Sequence, residues 1–412
     1  MKILTFFLTI LSLNASAQLW TIYNSAGGAM INNTAERVEI DPAGNVWAGN
    51  WAGGVEYFNS TNWTLYNTSG GQLPSDNIRD IAIDGSGNTW IGTDNGLVKY
   101  NGSVWTTYNT SNSGIPNNNV PSLYIDGSNI WVGTSSGLAK FDGTSNWTVY
   151  NTSNSNIPHN VVLSITKEQG GLLWIGTPAG IASFNGSSAW TSYNTGNSSL
   201  PNDMIMGLAV DNSTNEKWIC TNGGGVAVYN GSWTIYNTST PGFPNDNANS
   251  VAIDGNGDVW VATTGGLAQF NGTGWTTYNS SNSGLPINGS SDVEVDANNH
   301  IWVSTWGGGV ADFNPSFTTG IKDHTASEIN ANLIPNPVKD HATIHFNLDN
   351  DDTVIIDVYD LQGKIVLSLF DGFLTKGEQD LVVPVIDLQE GIYMTKIVVG
   401  QKTTNLRMSV IK

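Results

Sequence analysis

Short runs of alternating apolar and polar or small residues recur along most of this chain and predict a four-stranded antiparallel sheet in each repeat. In the clearest repeat, Ile81 and Ile83 share one face of the innermost strand. Gly and Asn fill the turn after it, where a tight hairpin needs positive φ. The four predicted strands of this repeat are Ile78 to Ile83, Thr89 to Thr93, Gly96 to Tyr100 and Trp105 to Tyr108.

Two tryptophans recur on one period in every repeat. The motif Trp-Thr-x-Tyr-Asn begins at Trp20, Trp63, Trp105, Trp147, Trp190, Trp233 and Trp275, always 42 or 43 residues apart. A second set follows the hairpin turns at Trp47, Trp90, Trp131, Trp174, Trp218, Trp260 and Trp302. A regular period near 42 residues is typical of a β-propeller with one blade per repeat.

The two ends of the repeat array predict how the ring closes. The motif at Trp20 has no inner strands before it, whereas the strands from Ser291 to Asn314 have no such motif after them. The N-terminal strand should therefore complete the seventh blade and remove two open sheet edges. The fold class expected is all-β, with a seven-bladed β-propeller over residues 18–314 and a small antiparallel β-sandwich over residues 333–412.

Segments outside the repeats indicate export. Residues 1–17 have a lysine, an apolar run and Ala15-Ser16-Ala17, which is typical of a signal peptide. No later run is long enough for a transmembrane helix. Residues 315–332 are the expected linker between the two domains.

Charge excludes one class of partner. The region from Gln18 to Gly320 has 6 basic and 21 acidic residues. Phosphate backbones would be repelled, so we expect no nucleic-acid partner. Only 12% of all residues are charged, and a surface of neutral hydrogen-bonding groups suits a neutral polymer.

The repeats resemble the two-component regulator propeller family. The resemblance rests on Asp-Gly-x-Gly-Asn-x-Trp-Ile-Gly-Thr-x-x-Gly-Leu at Asp84 to Leu97, and on the similar Asp254 to Leu267. In that family such repeats form the periplasmic sensor of hybrid two-component systems, many of which respond to polysaccharide fragments. This chain differs from the sensors because it has no kinase segment and no transmembrane helix.

The last eighty residues resemble the type IX secretion C-terminal sorting domain of the Bacteroidetes. The motifs that carry this resemblance are Pro335-Asn336-Pro337, Tyr359-Asp360-Leu361-Gln362-Gly363-Lys364, Gly391-Ile392-Tyr393 and a final strand ending in Lys412. The resemblance implies Sec-dependent export, then translocation by the type IX machinery as a partner. It also implies that the mature protein is secreted or held on the outer cell surface.

The sequence offers little for catalysis or metal binding. Asp254, Asn256 and Asp258 match the start of a calcium loop, but the rest of that motif is missing, so the turn is interpreted as structural. His159 and His300 are expected on opposite faces of the ring. We therefore predict no catalytic residues, no metal and no cofactor.

Residues that break the repeat predict a binding site. Trp51 and Trp306 are the only tryptophans outside the fourteen repeat positions, and ring closure makes their blades neighbours. Exposed indole faces are suited to stacking on sugar rings. Polar residues replace small ones in the same inner strands: Glu36, Arg37, Arg79, Asp80 and Asp292. The alternative is a buried ion-pair set, with the two indoles packed on each other.

These observations favour a non-catalytic binding propeller that recognises glycan or polysaccharide through Trp51, Trp306 and the polar residues around them. Two alternatives stay open. One is a protein-binding or adhesive scaffold with a surface protein as its ligand, and the other is a polysaccharide lyase or hydrolase.

Overall fold

The computed structural model describes residues 18–318, 329, 331–348, 350–360, 364–386, 388–400 and 402–412. The predicted signal peptide and most of the predicted linker lie outside these residues. The chain divides into two compact units, Met1–Thr319 and Gly320–Lys412. In the described parts of both units the regular secondary structure is β-strand, and no helix there is long and apolar enough to span a membrane.

The first unit is a ring of seven four-stranded antiparallel sheets, which confirms the predicted propeller. Six blades each come from one continuous repeat. Their strands are β2 (Ala35–Ile40), β3 (Val46–Asn50), β4 (Gly54–Phe58) and β5 (Trp63–Tyr66); β6 (Ile78–Ile83), β7 (Thr89–Thr93), β8 (Gly96–Tyr100) and β9 (Trp105–Tyr108); β10 (Ser122–Asp126), β11 (Asn129–Thr134), β12 (Gly137–Phe141) and β13 (Trp147–Tyr150); β14 (Ser164–Lys167), β15 (Leu173–Thr177), β16 (Gly180–Phe184) and β17 (Trp190–Tyr193); β18 (Ile205–Val210), β19 (Lys217–Thr221), β20 (Gly225–Tyr229) and β21 (Trp233–Tyr236); β22 (Ala248–Ile253), β23 (Val259–Thr263), β24 (Gly266–Phe270) and β25 (Trp275–Tyr278).

The seventh blade joins both ends of the ring, as predicted. It contains β26 (Ser290–Val295), β27 (Ile301–Thr305) and β28 (Gly309–Thr318), and its outer strand is β1 (Gln18–Tyr23). Trp20 pairs with Phe313, and Gln18 reaches Thr318. The last strand of the ring therefore continues through residues 315–318, at the start of the expected linker. Closure leaves no blade with a missing outer strand.

Hairpin carboxylates fix the buried tryptophans of the blades. In five blades the acidic residue of the first hairpin accepts a hydrogen bond from the indole Nε1 of the second strand. Asp254, for example, lies 3.1 Å from Nε1 of the fully buried Trp260. This hydrogen bond stabilises the blade, because an unpaired buried donor is costly. The repeated Asp and Trp thus form one structural unit.

The second unit has two antiparallel sheets around one apolar core, which is the predicted sandwich. One sheet has the order β29 (Ala331–Ile334), β30 (His341–Leu348) and β33 (Gly377–Pro384). The other has the order β32 (Ile365–Leu374), β31 (Asp352–Tyr359), β34 (Gly391–Val399) and β35 (Lys402–Val410). Val354, Ile356 and Val358 alternate inward along one strand and are fully buried.

Candidate functional site

Trp51 and Trp306 lie on the same end of the ring, in the loops between the second and third strands of the first and seventh blades. Their side chains are 44% and 41% exposed, whereas the fourteen repeat tryptophans are buried or half-buried. Thr34 connects the two loops. Its carbonyl accepts from the Trp51 amide at 3.0 Å, and its backbone forms a β-bridge with Trp306.

An arginine covers the Trp51 ring. The Arg79 guanidinium carbon lies 4.4 Å from the ring centroid, and Arg79 Nε donates to Asp94 at 2.6 Å. Asp94 also accepts from the side-chain amides of Asn77 and Asn119, each at 2.7 Å. Partial burial raises the pKa of Asp94, but the hydrogen bonds from Arg79 and the two amides outweigh it, so the pKa is lowered. The charge of Arg79 is therefore neutralised within the site.

Trp306 lies against a glycine. The Trp306 amide donates to the Gly289 carbonyl at 3.0 Å, and a Cβ built on Gly289 would meet indole Cε3 at 3.2 Å. Other blades have larger residues at that position, such as Asn77 and Met204. Ile287 in the same loop is 38% exposed. Among the described residues, the two indoles make no ring contact with each other, so they are separate apolar surfaces on either side of Thr34.

The central channel contains the second polar group. The first strands of all seven blades line a cavity of about 370 Å³, and its wall includes Arg37, Asp80 and Asp292. Arg37 Nε lies 3.8 Å from Asp80 Oδ1. The Asp292 carboxylate accepts from the Val38 amide across the closure, and Asp80 accepts from the Leu123 amide. Burial lowers the pKa of Arg37, but Asp292 and Asp80 outweigh it and raise the pKa.

Glu39 and Glu294 also line this channel, and the sequence analysis did not select them. Burial, together with neighbouring carboxylates, raises the pKa of each well above its usual range. Burial also raises the pKa of Asp80 to about 7, despite the opposing effect of Arg37. The sequence does distinguish these two glutamates, since the other blades have alanine, tyrosine or threonine at the equivalent position. Burial first, and then the neighbouring carboxylates, thus disfavour ionisation of these carboxyls.

Six of the seven predicted site residues therefore lie in two places. Trp51, Trp306 and Arg79 are at the loop end, and Arg37, Asp80 and Asp292 line the channel. Glu36 is half-buried, and its backbone carbonyl accepts from Arg37 Nη1 at 3.0 Å. Asp94 and Asn77 were missed because their types are common in turns throughout this sequence.

The two propeller histidines do not converge. His159 Nδ1 accepts from the Val161 amide in the loop between two blades. His300 Nδ1 lies 3.0 Å from Asp312 at the other end of the ring. In the described part of the chain, no group of three or more His, Cys, Asp or Glu residues could hold a metal ion. The Asp254 carboxylate is occupied by protein donors, including the amides of Asn256 and Asp258.

Motif residues of the second unit fix its turns and its last strand. The Asn336 side chain, between Pro335 and Pro337, bonds the backbone of Arg407 and Ser409. Tyr393 Oη donates to the Gln389 carbonyl, and Lys412 Nζ donates to the Ile386 carbonyl. Tyr359 ends β31 and Gly391 begins β34. The Asp360 amide donates to the Lys364 carbonyl, closing a turn whose Gly363 lies outside the described residues.

Family comparisons confirm both resemblances. Residues 332–412 match the family model of the secretion system C-terminal sorting domain. Residues 72–95, 114–136 and 242–265 match the model of the two component regulator propeller. A sequence search of curated proteins gave no match.

Solved structures share the fold at low sequence identity. The extracellular domain of a protein designated a hybrid two component system, BT3049 from B. thetaiotaomicron, has a TM-score of 0.65 and 22% identity, over 95% of this chain and 57% of that chain. PorZ of Porphyromonas gingivalis, described as a surface component of the type-IX secretion system, has a TM-score of 0.60 and 17% identity, over 93% of this chain and 60% of that chain. Virginiamycin B lyase from Staphylococcus aureus has a TM-score of 0.59 and 14% identity, over 72% of this chain and 99% of that chain.

The fold and the family matches define a class of protein. It is a β-propeller exported through the type IX system to the cell surface or the medium, because a sorting domain of that system forms its C-terminal unit. More narrowly, three segments of its blades match the two component regulator propeller model. The chain spans about 57% and 60% of the BT3049 and PorZ chains, and at these identities the likeness concerns the fold.

Proposed function

We propose that this protein binds a neutral glycan, without cleaving it, on the loop end of the first and seventh blades. The observation that carries the proposal is the pair of exposed indoles of Trp51 and Trp306 beside Thr34. Sugar rings have apolar C–H faces that pack on indoles, and adjacent hydroxyls need hydrogen-bonding groups. The exposed Thr34 hydroxyl donates to the Trp51 carbonyl, and its oxygen can still accept from a ligand hydroxyl.

Charge supports a neutral ligand over an anionic one. Arg79 is the cation next to the indoles, and Asp94 already neutralises it. Arg37 lies in the channel between Asp80 and Asp292. A uronate or sulfate would therefore lose hydration at this site without meeting an unpaired cation among these residues. Neutral hydroxyls incur no such penalty.

The repeated loops give little support to an adhesive scaffold. In each of the seven loops between blades, a Ser or Thr amide donates to an Asn or Asp side chain eight residues later. The abundance of Asn, Ser and Thr thus has a structural reason, because these bonds set the shape of each loop. It does not require a repeated ligand.

An array of neutral and anionic polysaccharides, probed with the full chain, tests the proposal. We expect retention on neutral polymers and loss of it in Trp51→Ala/Trp306→Ala, since an aromatic anchor contributes about 2 kcal/mol, or roughly thirtyfold in affinity. Val104→Ala is the control, because Val104 is 56% exposed in a hairpin at the other end of the ring.

Three results would redirect the proposal. Equal binding by the double variant would remove the site. Binding to surface proteins that survives loss of both indoles would favour the scaffold. New reducing or unsaturated ends on any polymer would establish a hydrolase or lyase.

A further inference from the structure

The first blade differs from the other six at three positions that lie together. Ile31 stands where the other loops between blades have Pro74, Pro116, Pro158, Pro201, Pro244 and Pro286. Asn50 stands where the second strands end in Thr93, Thr134, Thr177, Thr221, Thr263 and Thr305. Glu56 stands where the third strands have Val98, Ala139, Ala182, Ala227, Ala268 and Ala311.

These three positions are connected through the Glu56 carboxylate: Asn50 and Glu56 are buried, whereas Ile31 has an exposed side chain and takes part through its backbone amide. Glu56 is 1% exposed, and its carboxylate accepts from the Ile31 amide at 2.8 Å and from the Asn32 amide at 3.0 Å. Asn50 Nδ2 donates to the same carboxylate at 3.3 Å. A proline at position 31 would have no N–H to donate. Ile31 in place of proline and Glu56 in place of alanine or valine therefore belong to one arrangement.

The fold does not require this arrangement. In the other six blades the threonine hydroxyl donates to the glycine carbonyl that begins the third strand. That solution needs no buried charge, whereas burying a carboxylate is costly even when it is hydrogen-bonded. Asn247 in the sixth blade makes the same two backbone contacts as Thr34, with Thr264 and Asn222. In the first blade the contacted residues are instead the exposed Trp51 and Trp306.

We propose that Glu56 is a positioning residue for the two exposed indoles. It fixes the Ile31 and Asn32 amides, and thereby the segment through Thr34 that joins the loops of Trp51 and Trp306. A preorganised pair of rings binds more tightly because less conformational entropy is lost on binding. The benefit for affinity rests on the proposed glycan function, but the positioning itself does not.

Fluorine NMR of the full chain labelled with 5-fluorotryptophan tests the positioning without any ligand. Trp51→Phe and Trp306→Phe assign the two resonances, and the buried Trp131 of the third blade is the internal control. We expect Glu56→Ala to shift or broaden both resonances and leave that of Trp131 unchanged. Glu56→Gln keeps one acceptor oxygen, so it should give a smaller change in both.

A matched variant separates positioning from stability. Ile31→Pro/Asn50→Thr/Glu56→Ala gives the first blade the threonine hydrogen bond of the other six blades. The variant should therefore keep the wild-type melting temperature. We expect displaced Trp51 and Trp306 resonances, and about tenfold weaker binding by affinity electrophoresis in xyloglucan, laminarin or mannan.

The outcomes are distinct. Wild-type resonances for both indoles in a folded triple variant would overturn the inference. Displaced resonances would support it, even if wild-type protein binds none of the three polymers, which would count against the proposed function alone. If Glu56→Ala does not fold, the triple variant still decides, because its combination of proline, threonine and alanine occurs in five other blades of this ring.

Discussion

Trp20 stacks on Phe313 with ring centroids 4.7 Å apart, although the two residues come from opposite ends of the propeller sequence. The same stack occurs within single repeats, as between Trp190 and Phe184 at 4.0 Å. The closing blade therefore uses the contact that the other blades make locally. A local contact forms with a small loss of chain entropy, whereas the closing contact depends on the whole ring.

Replacing Trp20 should open the ring at its closure. We expect Trp20→Ala to lower the free energy of unfolding by about 2–4 kcal/mol and to speed hydrogen exchange at Thr21, Ile22 and Tyr23. Trp190→Ala is the matched control, because it removes the same kind of stack within a repeat. It should destabilise the protein without faster exchange in β1. Unchanged protection of β1 in Trp20→Ala would contradict this account of closure.

Removing a hairpin carboxylate should leave a buried indole without its partner. Asp254→Ala should cost about 2–3 kcal/mol in chemical denaturation, since the Nε1 of fully buried Trp260 becomes unsatisfied. Asp211→Ala is a useful control. Its carboxylate accepts hydrogen bonds from its own turn, and the buried Nε1 of Trp218 has no hydrogen-bond partner among the described residues. Its effect should therefore be smaller, and an equal loss would show that the indole bond contributes little.

Removal of calcium tests the structural interpretation of the Asp254 turn. Because its carboxylate accepts from backbone amides and from Trp260, we expect no change in melting temperature when calcium is removed with a chelator. A clear fall on chelation would point to a bound ion.

The ring and its closure could be predicted from the sequence because each blade repeats the same local motifs. The Trp-Thr-x-Tyr-Asn motif marks an outer strand wherever it occurs, so a spare copy at Trp20 identifies the missing strand of the last blade. Trp51 and Trp306 stood out in the same way, as departures from a repeat. The sequence could not show that Arg79 covers Trp51, because that contact crosses from one blade to the next.

Glu56 shows why other parts of the site were missed. A glutamate in a strand is usually exposed, and only the fold shows that this one is buried against the Ile31 and Asn32 amides. Glu39 and Glu294 lie on different blades and meet only in the closed ring. Their interaction depends on closure and burial, which periodicity does not report.

Releasing the charge of Arg79 should change which glycans bind. Asp94→Asn removes the negative partner of Arg79, so we expect stronger retention on polygalacturonate than wild-type protein shows, most clearly at low salt. Binding to neutral polymers should change little, because the indoles remain. Asp84→Asn, in a hairpin at the other end of the ring, is the control for a general change in net charge. Equal gains in both variants would show that Arg79 has no specific part.

The raised pKa values of the channel carboxyls should make the free energy of unfolding fall as the pH rises. Burial raises the pKa of Glu39 and Glu294 well above the usual range, and that of Asp80 to about 7. A carboxyl with a higher pKa in the folded state resists ionisation there but ionises freely in the unfolded chain. Its penalty is absent below the unfolded pKa of about 4 and grows as the pH rises towards the folded pKa. For Asp80 that window runs from about pH 4 to about pH 7.

Glu294→Gln should remove part of this penalty, because the amide keeps the shape of the protonated acid and cannot ionise. We expect equal melting temperatures for wild-type protein and variant near pH 4, and a variant more stable by a few degrees at pH 8. Asp84→Asn should show the opposite sign. Burial raises the pKa of Asp84, but hydrogen bonds from Trp90 and Asn88 outweigh burial, so the pKa is lowered. Ionised Asp84 therefore stabilises the folded state above the unfolded pKa, and this contribution is lost as the pH falls. Parallel pH profiles for wild-type protein and Glu294→Gln would mean that Glu294 ionises in the folded channel without cost.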